Sequence, residues 1–328
     1  MSSSNAHTSN QLQRHATVCL CIVVMLFSGC ARNRQQVHFL RFEQLLFDTP
    51  AESLQTTLEE HADDYCTPLL NVAPDDATYM QLLTDFVSDP ATRHIYHVSD
   101  SLYHDLGWLE KELGEALARS EKICPEIQYD RFYTLVTGDF DDYQNRVFCD
   151  RRELALSIDH YAVGEIPGAV PAYIERLSKP EYMAADCMAA IARAAIMLPD
   201  GEMTLLDYAI AEGKTLYYLE KTLPNTPDTI LLRYTKEQME WMKRYTEQVW
   251  GAFIQDKLLY SHDLGQFHNF IDEAPKTNAF GDGSAPRTPS YIGWQIVRRY
   301  MKKTGASMQE LFNTTDSRLI LTTSGWRP

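Results

Sequence analysis

Glu212 is the residue whose chemistry the chain explains least. It stands in the run Thr204-Leu-Leu-Asp-Tyr-Ala-Ile-Ala-Glu-Gly-Lys-Thr-Leu-Tyr-Tyr218. At about 100° per residue, a helix here puts Leu205, Ala209, Leu216, Leu219 and Leu223 on one apolar stripe, with Asp207, Lys214 and Lys221 opposite. Glu212 falls within the apolar stripe. A carboxylate buried there without a partner is costly enough to force neutralisation, so something must meet it. One solution is a Lys, Arg, Tyr hydroxyl or backbone N–H from a neighbouring element. The other is a metal ion: a zinc peptidase takes two His and a Glu from one helix and its third ligand from the next. The preceding helix, Glu181-Tyr-Met-Ala-Ala-Asp-Cys-Met-Ala-Ala-Ile-Ala-Arg-Ala-Ala-Ile-Met197, carries no His-Glu-x-x-His, and no histidine occurs between His160 and His262. No metal site and no cofactor are therefore expected.

Asp159-His160 is the second candidate. It closes a strand just before the helix pair, where a functional residue would be well placed, and a plain strand-end turn has the same appearance. If Asp159, His160 and Glu212 converged, they could form a hydrolase centre that needs no metal. His94, His97 and His104 share about 80° of arc on one helix, as metal ligands or as ordinary exposed histidines.

Cys30 invites a different chemistry. Arg14, the apolar run Ala16–Phe27 and then Ser28-Gly29-Cys30 have the build of a secretory signal too short to span a bilayer. Phe-Ser-Gly-Cys resembles a bacterial lipobox, so cleavage before Cys30 and lipid attachment to its thiol are expected; an ordinary signal or an uncleaved anchor are the alternatives. Acyl chains contribute about 0.8 kcal/mol per buried methylene, so several chains on one cysteine hold a domain at a membrane. The expected organisation is a signal peptide over 1–29, a lipidated tether over 30–36 and one domain over 37–328.

These groups must be positioned by a mostly helical chain. Helices are predicted at about 51–60, 75–88 and 91–118, then over the pair flanking Leu198-Pro-Asp-Gly201, then at 234–258 and 291–301, with Ser307 capping another. Between them, 131–137, 145–149 and 154–159 read as a three-stranded antiparallel meander packed on the helix pair. The fold class is α+β, with a helical N-terminal third over 37–120. Residues 272–289 form the longest irregular segment, a kind that tends to be functional or mobile.

Composition narrows the function. The chain has 328 residues, 45% hydrophobic, ample for a core. Net charge is −15, and loss of residues 1–29 leaves 29 basic against 45 acidic side chains, or −16, which opposes nucleic-acid binding. Cys66, Cys124, Cys149 and Cys187 are widely spaced and read as buried thiols with at most one bridge. Five Trp and eighteen Tyr sit mostly at core spacing, which gives a glycan-binding platform little support.

Several motifs carry a resemblance. Phe39-Leu-Arg-Phe-Glu-Gln-Leu-Leu-Phe47, the Glu212-Gly-Lys run, Tyr234-Thr-Lys-Glu-Gln-Met-Glu-Trp241, Tyr291-Ile-Gly-Trp-Gln-Ile-Val-Arg-Arg-Tyr-Met301 and the ending Ser324-Gly-Trp-Arg-Pro resemble the GldB family of gliding-motility-associated lipoproteins of Bacteroidetes. The resemblance covers essentially the whole chain after Cys30. It implies a cell-envelope protein with envelope protein partners, linked to motility or secretion machinery. Ala31-Arg-Asn-Arg34 lacks an acidic export run, which favours the periplasmic face of the outer membrane. The meander, the helix pair and the Tyr291-Ile-Gly293 segment are also similar to predicted zinc-dependent peptidases with His-Glu-x-x-His on the first helix and Glu-Gly on the second. Only Glu212-Gly213 has a counterpart, which implies a zincin-like scaffold without its chemistry, a pseudo-peptidase; an active envelope peptidase is the alternative.

Overall fold

The computed structural model describes residues 36–328, apart from 71, 72, 74 and 142–145 and the side chains of 66–68 and 70. The signal segment, Cys30 and the Cys66 side chain lie outside the described residues. Residues 37–328 form one compact unit.

Strand β1 (Phe39–Arg41) runs straight into α1 (Phe42–Asp48). Helices α2 (Leu54–Glu60), α3 (Ala77–Ser88), α4 (Pro90–Tyr103) and α5 (Gly107–Ile123) follow. The single helix expected over 91–118 is thus two. Asp105 Oδ1 accepts the Gly107 N–H at 2.8 Å, a local side-chain turn that competes with helix and breaks the run. His94, His97 and His104 are all exposed, with His104 at the C-terminal cap of α4, 3.4 Å from Asp100.

The sheet differs from the expected meander. Strands β2 (Arg131–Leu135), β3 (Val147–Asp150) and β4 (Glu153–Ser157) join β1 in the order β1-β2-β4-β3. β1 and β4 both run parallel to β2, and only β3 is antiparallel, to β4. Among the described residues, the tight turn between strands lies at Arg151-Arg152, where Arg151 takes a left-handed φ of 49°. That hairpin leaves β4 free to slide in beside β2. The continuous apolar run of β4 is the pattern of a strand covered on both faces, whereas β3 alternates half-buried and exposed as an edge strand does.

After β4 come α6 (Ala172–Leu177), then the expected pair α7 (Pro180–Ala195) and α8 (Leu205–Thr222), then α9 (Asp228–Leu232), α10 (Lys236–Gln255), α11 (Leu264–Ile271), α12 (Thr288–Thr304), α13 (Met308–Asn313) and α14 (Ser317–Ser324). Capping boxes start α8 (Thr204 with Asp207), α10 (Thr235 with Gln238) and α13 (Ser307 with Glu310). Cys124, Cys149 and Cys187 are free thiols.

Helix α8 is the centre of the domain, packed by α5, α7, α12 and α14. Leu205, Ala209, Leu216, Leu219 and Leu223 are buried as expected. Lys214, opposite the stripe, is buried too, although Lys221 on the same side is exposed; the Lys214 Nζ donates to Thr314 O at 2.6 Å. Burial holds the Lys214 ammonium down to a pKa of about 8. The tightest contact is between backbones. A Cβ on Gly293 would sit 1.7 Å from Ala209 O, and one on Gly213 2.4 Å from Gly293 C and O, so α8 and α12 cross where neither can carry a side chain.

Gly293→Ala is therefore expected to destabilise by at least about 2–3 kcal/mol, as overpacking does. Gly251→Ala, in α10 with open space around it, should be neutral or stabilise by up to about 1 kcal/mol. Urea unfolding of the two variants checks the contrast; equal effects would mean that the helices do not meet at these glycines.

Candidate functional site

Helical spacing sets one face of α7 against one face of α8. Asp186, Ala189, Ala190 and Arg193 recur at three- and four-residue steps, as do Tyr208, Glu212, Thr215 and Leu219 opposite them. The alanines are too small to fill the space between. A cleft of about 600 Å³ results, closed by Leu264 and His268 of α11, by Glu273 and Arg287 from the irregular segment, and by Arg146 and Val147 where β3 begins.

Its polar side chains form one alternating chain of charge. Arg193 Nε lies 3.2 Å from Glu212 Oε1, and Glu212 Oε2 accepts from Arg287 Nη2 at 2.6 Å. Arg287 Nη1 donates to Glu273 Oε1 at 3.0 Å, and Arg233 Nε lies 2.9 Å from the same oxygen. Arg233 Nη1 donates to Asp186 Oδ1 at 2.5 Å, while Asp186 Oδ2 accepts the Tyr161 hydroxyl at 2.8 Å. Arg146 ends the chain 3.8 Å from Asp186, with Nη1 donating to Leu177 O at 3.0 Å. Arg233 and Arg287 both occupy left-handed backbone positions, φ 62° and 46°. Such conformations cost about 1–2 kcal/mol for a residue with a side chain and persist where surrounding bonds fix them.

Glu212 therefore meets its requirement by pairing. Its side chain is not sealed in the stripe but stands at the cleft rim, 24% accessible. Crowding by protein pushes its pKa up, but Arg193 and Arg287 outweigh that and bring it to about 2. Burial disfavours the charged Arg233 guanidinium, yet Asp186 and Glu273 hold its proton more firmly than in water.

A zinc ion does not fit these residues. Both Glu212 oxygens already face guanidinium groups, and a dication cannot share them without displacing at least one. The cleft histidine, His268, has Nδ1 turned back to Leu264 O and Gly265 O of its own helix, at 3.3 and 3.1 Å. Among the described residues, no three His, Cys, Asp or Glu side chains are grouped to hold a metal.

Asp159 and His160 are brought together with each other but do not line the cleft. They form a short 3-10 turn, Ile158–Tyr161, after β4. Asp159 Oδ2 accepts from Gly138 N at 2.9 Å, Thr137 N at 3.1 Å and Thr137 Oγ1 at 3.2 Å, and His160 Nε2 lies 3.2 Å from Thr137 Oγ1. Together they pin the Thr137-Gly138 turn beyond β2. Burial raises the Asp159 pKa to about 6 against the lowering effect of those hydrogen bonds, and its Oδ1 is buried without a partner.

Two pH responses follow. Asp159 binds its proton more tightly folded than unfolded, so its contribution is fully present below about 4 and lost as pH rises through about 6. Relative to Asp159→Asn, the wild type should lose roughly 2–3 kcal/mol of stability between pH 4 and pH 7; a constant difference would contradict the assignment. Glu212 is the opposite case, with stabilisation present above 4.5 and lost as pH falls through about 2. Glu212→Gln should cost about 2 kcal/mol at pH 7, less than a fully buried pair because the side chain is part exposed. Denaturant titration checks both.

Sequence reasoning did not single out Asp186, Arg193, Arg233, Glu273 or Arg287. Asp186 and Arg193 were visible as the charged positions beyond the first turn of an Ala-rich helix, and Glu273 and Arg287 lie near the two ends of the irregular segment already marked as functional or mobile. Arg233 left no signal, because its place depends on how α9 ends.

Against known proteins, a family model described as gliding motility protein GldB matches residues 30–328. No curated protein and no solved structure matches. The match spans the whole described domain, cleft and central helix included, and the chain belongs to the GldB family of gliding motility lipoproteins.

Proposed function

We propose that this protein is a non-catalytic, lipid-anchored envelope component that holds a partner for motility or secretion machinery, tethered through Cys30 to the outer membrane and facing the periplasm. The observation that carries the non-catalytic reading is Glu212 clamped between Arg193 and Arg287. A carboxylate with a pKa near 2 has little tendency to take a proton at neutral pH and cannot serve as a general base for water. Its neighbours supply charge in alternation, and the hydroxyl that meets a carboxylate among them, Tyr161 on Asp186, is buried, which pushes its pKa well above the usual value. Of the site residues of the zinc peptidases that the chain resembles, Glu212-Gly213 alone has a counterpart, and in this chain Gly213 has a packing role of its own, the close approach to Gly293.

The anchoring half of the reading is supported by the signal-like run ending at Cys30 and by a family match that begins at residue 30. Among the described residues, no helix is long and apolar enough to cross a membrane. A tether on Cys30 then places an acidic domain beside a bilayer whose headgroups give it little electrostatic attraction, so its remaining surface stays available to proteins.

Metabolic labelling with an alkyne fatty acid, followed by fractionation, tests the anchor. Wild type should carry label and sediment with membranes, and Cys30→Ser should lose both. Label retained in Cys30→Ser would overturn Cys30 as the attachment site.

A further inference from the structure

The cleft has a neighbour that the ion chain does not use. Strand β3 is a sheet edge, paired only with β4 among the described residues. Ser157 N donates to Arg146 O, so residues 146 and 157 form a hydrogen-bonded pair. With the register Val147↔Leu156, the alternation of an antiparallel ladder makes Phe148–Ala155 and Asp150–Glu153 the next hydrogen-bonded pairs. The backbone N–H and C=O of Val147 and Cys149 consequently point away from β4, to a side where no strand pairs among the described residues. Edges of this kind are usually blunted by Lys, Pro or a covering element. β3 reads Val-Phe-Cys-Asp, and Phe148 is 46% exposed.

This edge opens onto the cleft, since Arg146 and Val147 belong to its lining together with Asp186 and Ala189 of α7. Within the cleft one cation is exposed, whereas Arg146 is buried between Asp186 and Leu177 O. Arg233 and Arg287 are held by two carboxylates each. Arg193 has Glu212 alone, at 3.2 and 3.5 Å, and its side chain is 54% exposed. It can turn to a new anion while Arg287, at 2.6 Å, goes on neutralising Glu212. Asp272, an exposed acid, also lines the cleft, so an incoming anion meets like charge there.

We infer that the open edge of β3 and the cleft together receive an extended peptide segment bearing a carboxylate. The peptide backbone pairs with the outward groups of Val147 and Cys149, and the carboxylate meets Arg193. Strand addition of this type draws affinity from main-chain hydrogen bonds and selectivity from the side-chain sites alongside. Because Val147 borders the cleft, the carboxylate-bearing end lies at the Val147 end of the strand. A peptide using its C-terminal carboxylate therefore runs antiparallel to β3. The inference rests on the reading of the domain as one that holds rather than cuts, and names what it holds.

The test uses the full chain in mild detergent and fluorescence polarisation with a library of β-branched octapeptides, each made with a free and an amidated C-terminus, with and without an internal Asp. Carboxylate-bearing members should bind and fully neutral ones should not. Affinity should fall about tenfold in Arg193→Ala, as for loss of a charge-assisted hydrogen bond. Binding that survives amidation when Asp is present identifies a side-chain carboxylate; binding only as the free acid identifies the C-terminus. N-methylation of alternate peptide residues should abolish binding in one register and spare it in the other. Val147→Pro should weaken binding while leaving the β3–β4 ladder intact, because Val147 N–H takes no part in it. If that variant fails to fold, the N-methyl series decides alone. No binding by any member, or binding indifferent to N-methylation in both registers, overturns the inference. Mass spectrometry of the recovered peptides separates the two readings: cleaved peptide would sink the non-catalytic function and leave strand pairing standing.

Discussion

Two glycines set the geometry on which the rest of the domain depends. Gly213 and Gly293 bring α8 and α12 so close that either Cβ would collide with backbone of the other helix. Close-packed interiors transmit such a constraint outward. With α12 pressed against it, α8 keeps little solvated surface beyond Lys221 and the cleft face, and Lys214 ends inside, bonded to Thr314 O. The residue before Gly213 is Glu212, and the residue before α12 is Arg287. The crossing that joins the helices thus also joins these two side chains, and the cleft rim is built as a by-product of the core.

The chain of charge that follows is a positional device more than a source of stability. Surface ion pairs contribute about 0–1 kcal/mol, and buried ones roughly offset their own desolvation, yet removing a single member leaves its partner stranded. Each shared carboxylate here fixes two arginines that come from different elements. Glu273 ties the irregular segment both to Arg233 after α9 and to Arg287 before α12. Asp186 ties α7 to Arg233 and Tyr161. A segment that reads as loop in the sequence is thereby fastened into a wall, helped by Thr277 Oγ1 donating to Ala285 O at 2.8 Å. The outcome is a rigid, charge-balanced cleft beside a short open strand, with a single loosely held cation, Arg193, at its mouth.

How much of this could be read from the chain follows from the range of the interactions. The helix pair, its breaker and the buried stripe of α8 were legible, because periodicity and caps are local. So was the oddity of Glu212, since an acid on an apolar stripe demands a partner. The identity of that partner was not, because Arg287 lies 75 positions away and reaches Glu212 only through the glycine crossing. Strand existence was local as well, but strand order was not: β4 pairs with β2 across residues that carry no pairing signal. Asp159-His160 showed itself as a strand end and turned out to be a turn anchor, held by Thr137 from the neighbouring strand's exit.

The account stands on one claim, that Glu212 is neutralised by two arginines and has no capacity left for a cation. The most direct measurement is the metal content of the purified protein after equilibration with excess zinc and desalting. The account predicts no stoichiometric zinc, with Glu212→Ala indistinguishable from wild type. One zinc per chain in the wild type, lost in Glu212→Ala, would contradict it and return the cleft to metal chemistry.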